Sequence, residues 1–453
     1  MENKLKFNNA RLPLVNEDCL FQLEVENGKW VRIQQQTEYL RNEDYVSIDE
    51  LPSDASKNGA TYNQLDLEGK ILLPGFVDSH MHLDKSFSLT TIGNLSGTLE
   101  EACINYGQAA PSFTKAEIKA RIMRSALQSL SYGTTHIRTH LDFSAATAGT
   151  AKIAMNTIEA ALEVKETLAP YMTLQLIPMC SYPLPAVGLD ILEEVLRMGV
   201  DGIGGAPHMS ANSREQIDFI FKMAMKADCL IDLHADENDN PSIRTVEYIA
   251  KLTKEYDIAG RVTVDHLCSL ASMPDKDAST LIEAMVSSGL KAVSLPAVNL
   301  YLQGRQDSFP VRRGVTRLKQ LWEAGVPVAI ASDNIHDPFH PFGRGDLVQI
   351  GLISAYAAHM GSPADLRTLL RMITDVPASI LGMDGYGIEQ GLTANFVVLD
   401  SHSPDELFTL LPERRWVYSN QKWLRIAAPK TNWNEPRLNE YWDQACDIVS
   451  FNK

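Results

Sequence analysis

Residues 71–87 read ILLPGFVDSHMHLDKSF: an apolar, β-branched run, Ile71–Val77, leads into two histidines separated by one residue. Such a run suits a buried strand, and on an extended chain His80 and His82 project from the same side, so both imidazoles can grip one ion. Seven comparable runs follow: Thr134–Leu141, Thr173–Met179, Gly202–Ala206, Leu230–Leu233, Arg261–Val264, Lys291–Leu295 and Pro327–Ala331. The segments between them, such as TKAEIKARIMRSALQSLS (114–131), VGLDILEEVLRMG (187–199) and SREQIDFIFKMAMKA (213–227), carry apolar residues at steps of three and four. That is the period of helices packed on a sheet. Apolar strands alternating with amphipathic helices describe a parallel sheet covered on both faces, and eight such units close a (β/α)8 TIM barrel of the α/β class. An open doubly wound sheet competes, but no GxGxxG or GxxxxGK[ST] follows an early strand to support a nucleotide phosphate site.

The positions of the histidines and acids matter because barrel active sites lie at the carboxyl ends of the strands. After the first strand, with His80 and His82, the second runs into His140 and the fourth into His208. The fifth runs into His234 and Glu237, the sixth into His266, and the eighth into Asp333. Each has a structural reading of its own. HADENDN (234–240) can be a solvated acidic turn, His266 a hydrogen-bonded core histidine, and Asp333 in ASDN the cap of the next turn. Together, three imidazoles and one carboxylate from three strands make a coherent donor set for zinc or iron. Such an ion lowers the pKa of its water from roughly 15.7 toward about 7, and Glu237 lies where it could shuttle the released proton. Lys85 is read either as favouring an anionic or carbonyl-rich substrate or as one half of a structural salt bridge. Phe339 is read as an aromatic cover or as ordinary packing.

Flanking the barrel, FQLEVENGKWVRIQ (21–34), ANFVVLD (394–400) and RRWVYSNQKWLRI (414–426) alternate as antiparallel strands do. Packing the two ends together as one small β-sandwich protects their edges, which divides the chain into 1–70, the barrel at 71–385, and 386–453. With 41 basic and 57 acidic residues the formal charge is −16, which repels a nucleic acid polymer. No apolar run approaches the roughly 20 residues needed to cross a bilayer, and the start, MENKLKFNNARLPLV, carries no export signal, so a cytoplasmic protein is expected. Association into a homo-oligomer is left open. Six cysteines stand singly and are expected as buried free thiols; with no CxxC, the zinc signature of the nucleic-acid-editing deaminases is absent.

LPGFVDSHMHLDKSF (73–87), GTTHIRTHLDF (133–143), LIDLHADEND (230–239), RVTVDHLCS (261–269), NLYLQGRQDSFPVRRGVTR (299–317) and ASDNIHDPFHPFGRGD (331–346) resemble, in order and spacing, the amidohydrolase superfamily. The resemblance is to its cytosine deaminase-like branch, which includes the N-isopropylammelide isopropylaminohydrolases that act on s-triazines. It implies that His80, His82, His234 and Asp333 bind a single divalent metal ion, while Glu237 and His266 move protons and orient the hydroxide, with Asp333 as a further proton acceptor. Binuclear members carry a lysine at the end of the fourth strand, which here reads GIGGAPH (202–208). Where cytosine deaminases have a ring-reading glutamine, IPMCSYP (177–183) places Ser181. Where they have a second aspartate this chain has Asn334, as the triazine-type enzymes do, and Phe339 falls at an aromatic that covers the ring. The expected activity is hydrolytic deamination of a small nitrogen heterocycle by metal-bound hydroxide attacking an sp² carbon. Release of a substituted amine, or opening of a cyclic amide, is the alternative on the same ligands, and a non-catalytic assembly protein is a third reading.

Overall fold

A computed structural model describes residues 4–51, 63–145, 147–413, 415–427 and 437–438. They form two compact units, one of residues Val77–Asp384 and one assembled from Met1–Phe76 and Gly385–Lys453.

The larger unit is built on eight strands: Phe76–Met81, Thr134–Phe143, Thr173–Cys180, Gly202–Gly205, Leu230–Ala235, Val262–His266, Lys291–Ser294 and Val328–Ile330. They lie in chain order across one sheet, with parallel register such as Leu233↔Val264 and His234↔Asp265. The ring closes just past its last strand. Met81 bridges Asp333 in parallel, with Asp333 N donating to His80 O at 2.9 Å and His82 N donating to Asp333 O at 3.4 Å. Closure thus joins the segments that carry the candidate ligands.

Helices cover the barrel as the periodicity requires. Lys115–Ser131 buries Ile118, Ile122, Ala126 and Leu130 at four-residue steps and starts at a capping box between Thr114 and Glu117. The fourth strand is nearly all glycine because its neighbours approach closely. A Cβ on Gly202 would meet both Leu230 O and Ile177 Cδ1 at 2.7 Å, and one on Gly204 would collide with the carbonyl of Asp232.

The smaller unit is a nine-stranded sheet. Its strands are Lys4–Leu12, Asn16–Glu26, Lys29–Gln35, Val46–Ser47, Gln64–Asp66, Ile71–Pro74, Phe396–Leu399, Arg415–Ser419 and Lys422–Arg425. Asn27 and Gly28, both at positive φ (50° and 74°), make the tight turn between the second and third. Both termini share one apolar core containing Phe7, Trp30, Phe396, Trp416 and Tyr418, in which Phe396 stacks on Tyr418 at 5.0 Å.

Three readings change. The run Ile71–Val77 is two strands: Ile71–Pro74 pairs antiparallel with Phe396–Leu399, Gly75 N adds one more bond to Asn395 O at 3.0 Å, and the barrel strand starts at Phe76, so the Pro74–Gly75 step, a pair of turn-forming residues, separates the two. The terminal sheet is mixed rather than wholly antiparallel, since Lys4–Leu12 runs parallel to Gln64–Asp66 and touches Ile71 in the same sense. Of the cysteines, Cys180 and Cys268 are buried and Cys19, Cys103 and Cys229 only partly so, all as free thiols. Cys446, with the rest of 439–453, lies outside the described residues.

Candidate active site

At the mouth of the barrel, strand alternation turns His80 and His82 to the same side, and the fifth strand adds His234. Their imidazoles converge: His82 Nε2 lies 3.4 Å from His80 Nε2 and 3.1 Å from His234 Nε2. Asp333 Oδ1 stands 3.5 Å from His80 Nε2 and 3.4 Å from His82 Nε2. His80, His82 and Asp333 form one cluster with metal-ligand spacing, and His234 joins it through His82.

The chemistry of this set is that of a cation site. Both carboxylate oxygens of Asp333 are buried with no hydrogen-bond partner among the described residues. Burial holds the pKa of His82 well below its ordinary value, helped by Lys85, and burial does the same for His234, helped by His80. Neutral imidazoles then direct lone pairs at one point beside a carboxylate, which is costly unless a positive charge lies there. His80 differs. Burial opposes its charge, but Asp265 and Asp333 outweigh burial and raise its pKa; its Nδ1 lies 2.9 Å from Asp265 Oδ2. A second grouping, His80, His140, His234 and Asp265, also has metal-ligand spacing. It is the poorer site, because Asp265 Oδ2 is already engaged by His80.

Glu237 is buried, and burial, reinforced by the charge of Asp333, pushes its carboxyl up to about 8. It lies 3.5 Å from His266 Nδ1 and 4.0 Å from His208 Nε2. Asn299 Nδ2 donates to His266 Nδ1 at 3.0 Å, and burial keeps His266 neutral. The proton therefore sits on Nε2, a buried donor with no partner among the described residues.

These groups border a cavity of about 280 Å³ lined at one end by His82, His234, Glu237, His266, Asp333 and Asn334. Leu99, Cys103, Tyr106, Ile153 and Ala154 form an apolar wall. Lys85 and Phe339 line it too, with Lys85 Nζ 5.2 Å from the ring centroids of both Tyr106 and Phe339 and 3.9 Å from Asp142 Oδ1. Burial works against the Lys85 charge, but Asp142 and Asp84 outweigh it and the net shift is upward. Asn334 donates from Nδ2 to Asp337 Oδ2 at 2.7 Å, which leaves its carbonyl oxygen for a ligand.

Of the residues singled out from sequence, the structure brings together His80, His82, His234, Glu237, His266, Asp333, Asn334, Phe339 and Lys85. It does not bring Ser181 to the cavity: the residue is half-buried, its buried hydroxyl has no hydrogen-bond partner among the described residues, and the third strand contributes Met179 to the lining instead. His336 and His340 bond to the carbonyls of Pro341 and Asn334 within their own loop. The sequence reading missed Tyr106, which sits on a helix, Leu99–Ala109, outside the barrel repeat, and Asn299, which holds the His266 tautomer. It also missed Asp265, whose only signal was its place directly before His266.

A barrel with imidazoles, a carboxylate and a protonated acid gathered at its strand ends defines a metal-dependent hydrolase of carbon–nitrogen bonds. The chain belongs to the amidohydrolase family, whose profile, described as "Amidohydrolase family", matches residues 89–420. A pterin deaminase of Rhizobium rhizogenes is 32% identical over 404 residues, 87% of this chain and 90% of the relative. An N-isopropylammelide isopropyl amidohydrolase of Pseudomonas sp. strain ADP is 31% identical, over 78% of this chain and 85% of the relative. The crystal structure of 5-methylcytosine deaminase from Klebsiella pneumoniae liganded with phosphonocytosine superposes with a TM-score of 0.84 at 28% identity, covering 95% of this chain and 100% of that one. Among the described residues no helix is long and apolar enough to cross a membrane.

Proposed function

We propose that this chain hydrolyses an exocyclic amino group from an sp² carbon of a small nitrogen heterocycle, forming a ring carbonyl and releasing ammonia. The observation that carries the reading is Glu237, a carboxyl held protonated by burial at the edge of the cavity, beside the convergent histidines and Asp333. Deaminating relatives that act on pterin and on 5-methylcytosine support it.

His80, His82, His234 and Asp333 would hold one divalent ion, zinc or iron; the donor set suits either. That ion, when bound, supplies water activated for attack at neutral pH. The fourth strand offers glycines and no bridging lysine for a second. His266 directs its Nε2–H into the cavity to orient the attacking water. Glu237 gives its proton to the ring nitrogen next to the attacked carbon, recovers one from the water, and passes it to the departing amine. Asp333, with two oxygens free of hydrogen bonds, has one to spare as a proton acceptor. Phe339 and Tyr106 supply flat apolar surface, while Lys85 and the Asn334 carbonyl read polar edges of the ring. The cavity of about 280 Å³ and the charge of −16 fit a small molecule rather than a polynucleotide.

A second reading, release of an alkylamine, is favoured by the relative acting on N-isopropylammelide and by the apolar wall at Leu99, Ile153 and Ala154. Product analysis separates the two. Metal-loaded protein is incubated with pterins, aminopyrimidines and aminotriazines, free and N-alkylated, and ammonia and alkylamine are both quantified. Ammonia from an unsubstituted ring supports deamination, alkylamine alone supports the second reading, and neither product across the panel refutes both.

A further inference from the structure

TIM-barrel interiors are normally filled by branched apolar side chains. Below the metal site this one is not. Arg138 is 1% exposed, and all five of its donors are used. Nε and Nη2 donate to Gln175 Oε1 at 3.0 and 2.9 Å, Nη2 also to Ile380 O at 3.4 Å, and Nη1 to Asp232 Oδ2 at 2.6 Å and Thr263 Oγ1 at 3.3 Å. The other oxygen of Asp232 lies 3.2 Å from His140 Nε2. His140 Nε2 is in turn 3.7 Å from Asp265 Oδ2, and the His140 ring stacks on that of His80 at 4.1 Å between centroids, 29° from parallel. Asp265 Oδ2 receives His80 Nδ1.

The alternation of the strands explains the stack. Arg138 and His140 are two apart on the second barrel strand, Asp232 and His234 on the fifth, and Thr263 and Asp265 on the sixth, so each pair points into the interior at successive levels. Taking such charges out of water costs several kcal/mol per ion, and an apolar plug would close the barrel more cheaply.

We propose that Arg138 is a positioning residue for the metal site. It anchors Asp232, whose other oxygen lies against His140, and His140 stacks on one face of His80; His140 and Asp265 together then hold the His80 ring with Nε2 aimed at the ion. No member of the set below His80 touches the cavity. The inference rests on the reading of His80 as a ligand. Outer hydrogen-bond partners of metal ligands typically change affinity 10- to 100-fold, and that effect separates positioning from packing.

The test is zinc titration of the metal-stripped full chain against a chromophoric chelator, alongside the melting temperature of the metal-free protein. The double substitution Arg138→Met/Asp232→Leu removes both charges together, a change often neutral or stabilising for the fold. The result expected is an unchanged or raised melting temperature with zinc bound about 10- to 100-fold more weakly, and an altered visible spectrum when cobalt(II) replaces zinc. Zinc affinity within threefold of the unaltered chain overturns the proposal. If the double variant does not fold, Asp232→Asn, which keeps the shape and an acceptor for Arg138, is titrated instead and decides by the same criterion. An unaltered chain that binds no zinc, cobalt or iron overturns the metal reading itself, and this inference with it.

Discussion

Glu237→Gln is the substitution that bears hardest on the proposed chemistry. Its carboxyl is pushed up to about 8 by burial and the nearby Asp333 charge. The wild-type group is thus poised to donate first and accept afterwards, and a glutamine of nearly the same shape can do neither. General acid–base catalysis is worth about 10²- to 10⁴-fold, or about 2.7–5.4 kcal/mol of barrier, so kcat should fall by at least about a hundredfold. Metal content should not change. The polar contacts of Glu237 are His266 and His208, and it belongs to neither cluster with ligand spacing. The assay is ammonia release under saturating substrate, with metal quantified by elemental analysis on the same preparation. A fully metallated variant that keeps more than a tenth of wild-type kcat refutes the role, and loss of metal would show that Glu237 supports the ion rather than the proton.

Three further outcomes follow from the same structure. Asp78, fully buried, has its carboxyl pushed up to about 6 from 3.8 by burial. The folded state therefore binds its proton more tightly than the unfolded one, and the cost of ionising it builds up from about pH 4 and is complete above about pH 6. Asp78→Asn, whose amide could donate to the unpartnered Ser332 hydroxyl, should stabilise metal-free protein by up to about 3 kcal/mol at pH 7.5 and by little at pH 4; equal melting shifts at both pH values would contradict this. Lys85→Met should raise KM at least about tenfold for a carbonyl-bearing ring while sparing kcat within a few-fold, and an unchanged KM removes Lys85 from the substrate contacts. Trp30→Ala, in the core of the terminal sheet with no exposure, should destabilise that unit by about 3–5 kcal/mol, read by denaturant titration.

The order of the barrel strands and the residues at their ends were legible because two independent periods, continuous apolar runs and helical spacing, agreed along most of the chain. Where one period covered two elements the reading failed. The run Ile71–Val77 is uniformly apolar although it serves two sheets, and only the Pro74–Gly75 step marks the break. Parallel pairing of Lys4–Leu12 with Gln64–Asp66 joins segments far apart in sequence, which alternation cannot report. Ser181 was placed by correspondence with a glutamine position, but a side chain so much shorter does not reach a cavity that Met179 already lines. Arg138 and Asp232 were passed over because a charge inside an apolar run reads as a strand's polar face, and nothing local shows that five donors will be met by four distant partners.

The site forms where the strands stop. On the sixth barrel strand Thr263 and Asp265 face inward, so alternation would send His266 outward, away from the cavity it lines. The backbone leaves the strand at His266 with φ 68°, and the segment after the eighth strand does the same at Asp333 with φ 61°. For residues other than glycine this region costs about 1–2 kcal/mol each. Here the left-handed turns bring the neutral imidazole of His266 and the unpartnered carboxylate of Asp333 to the same mouth as His80 and His82. A regular strand supplies functional groups only at every second position. Leaving it through a left-handed residue adds the intervening position, which lets Asp265 support His80 from below while His266, its immediate neighbour, faces the substrate.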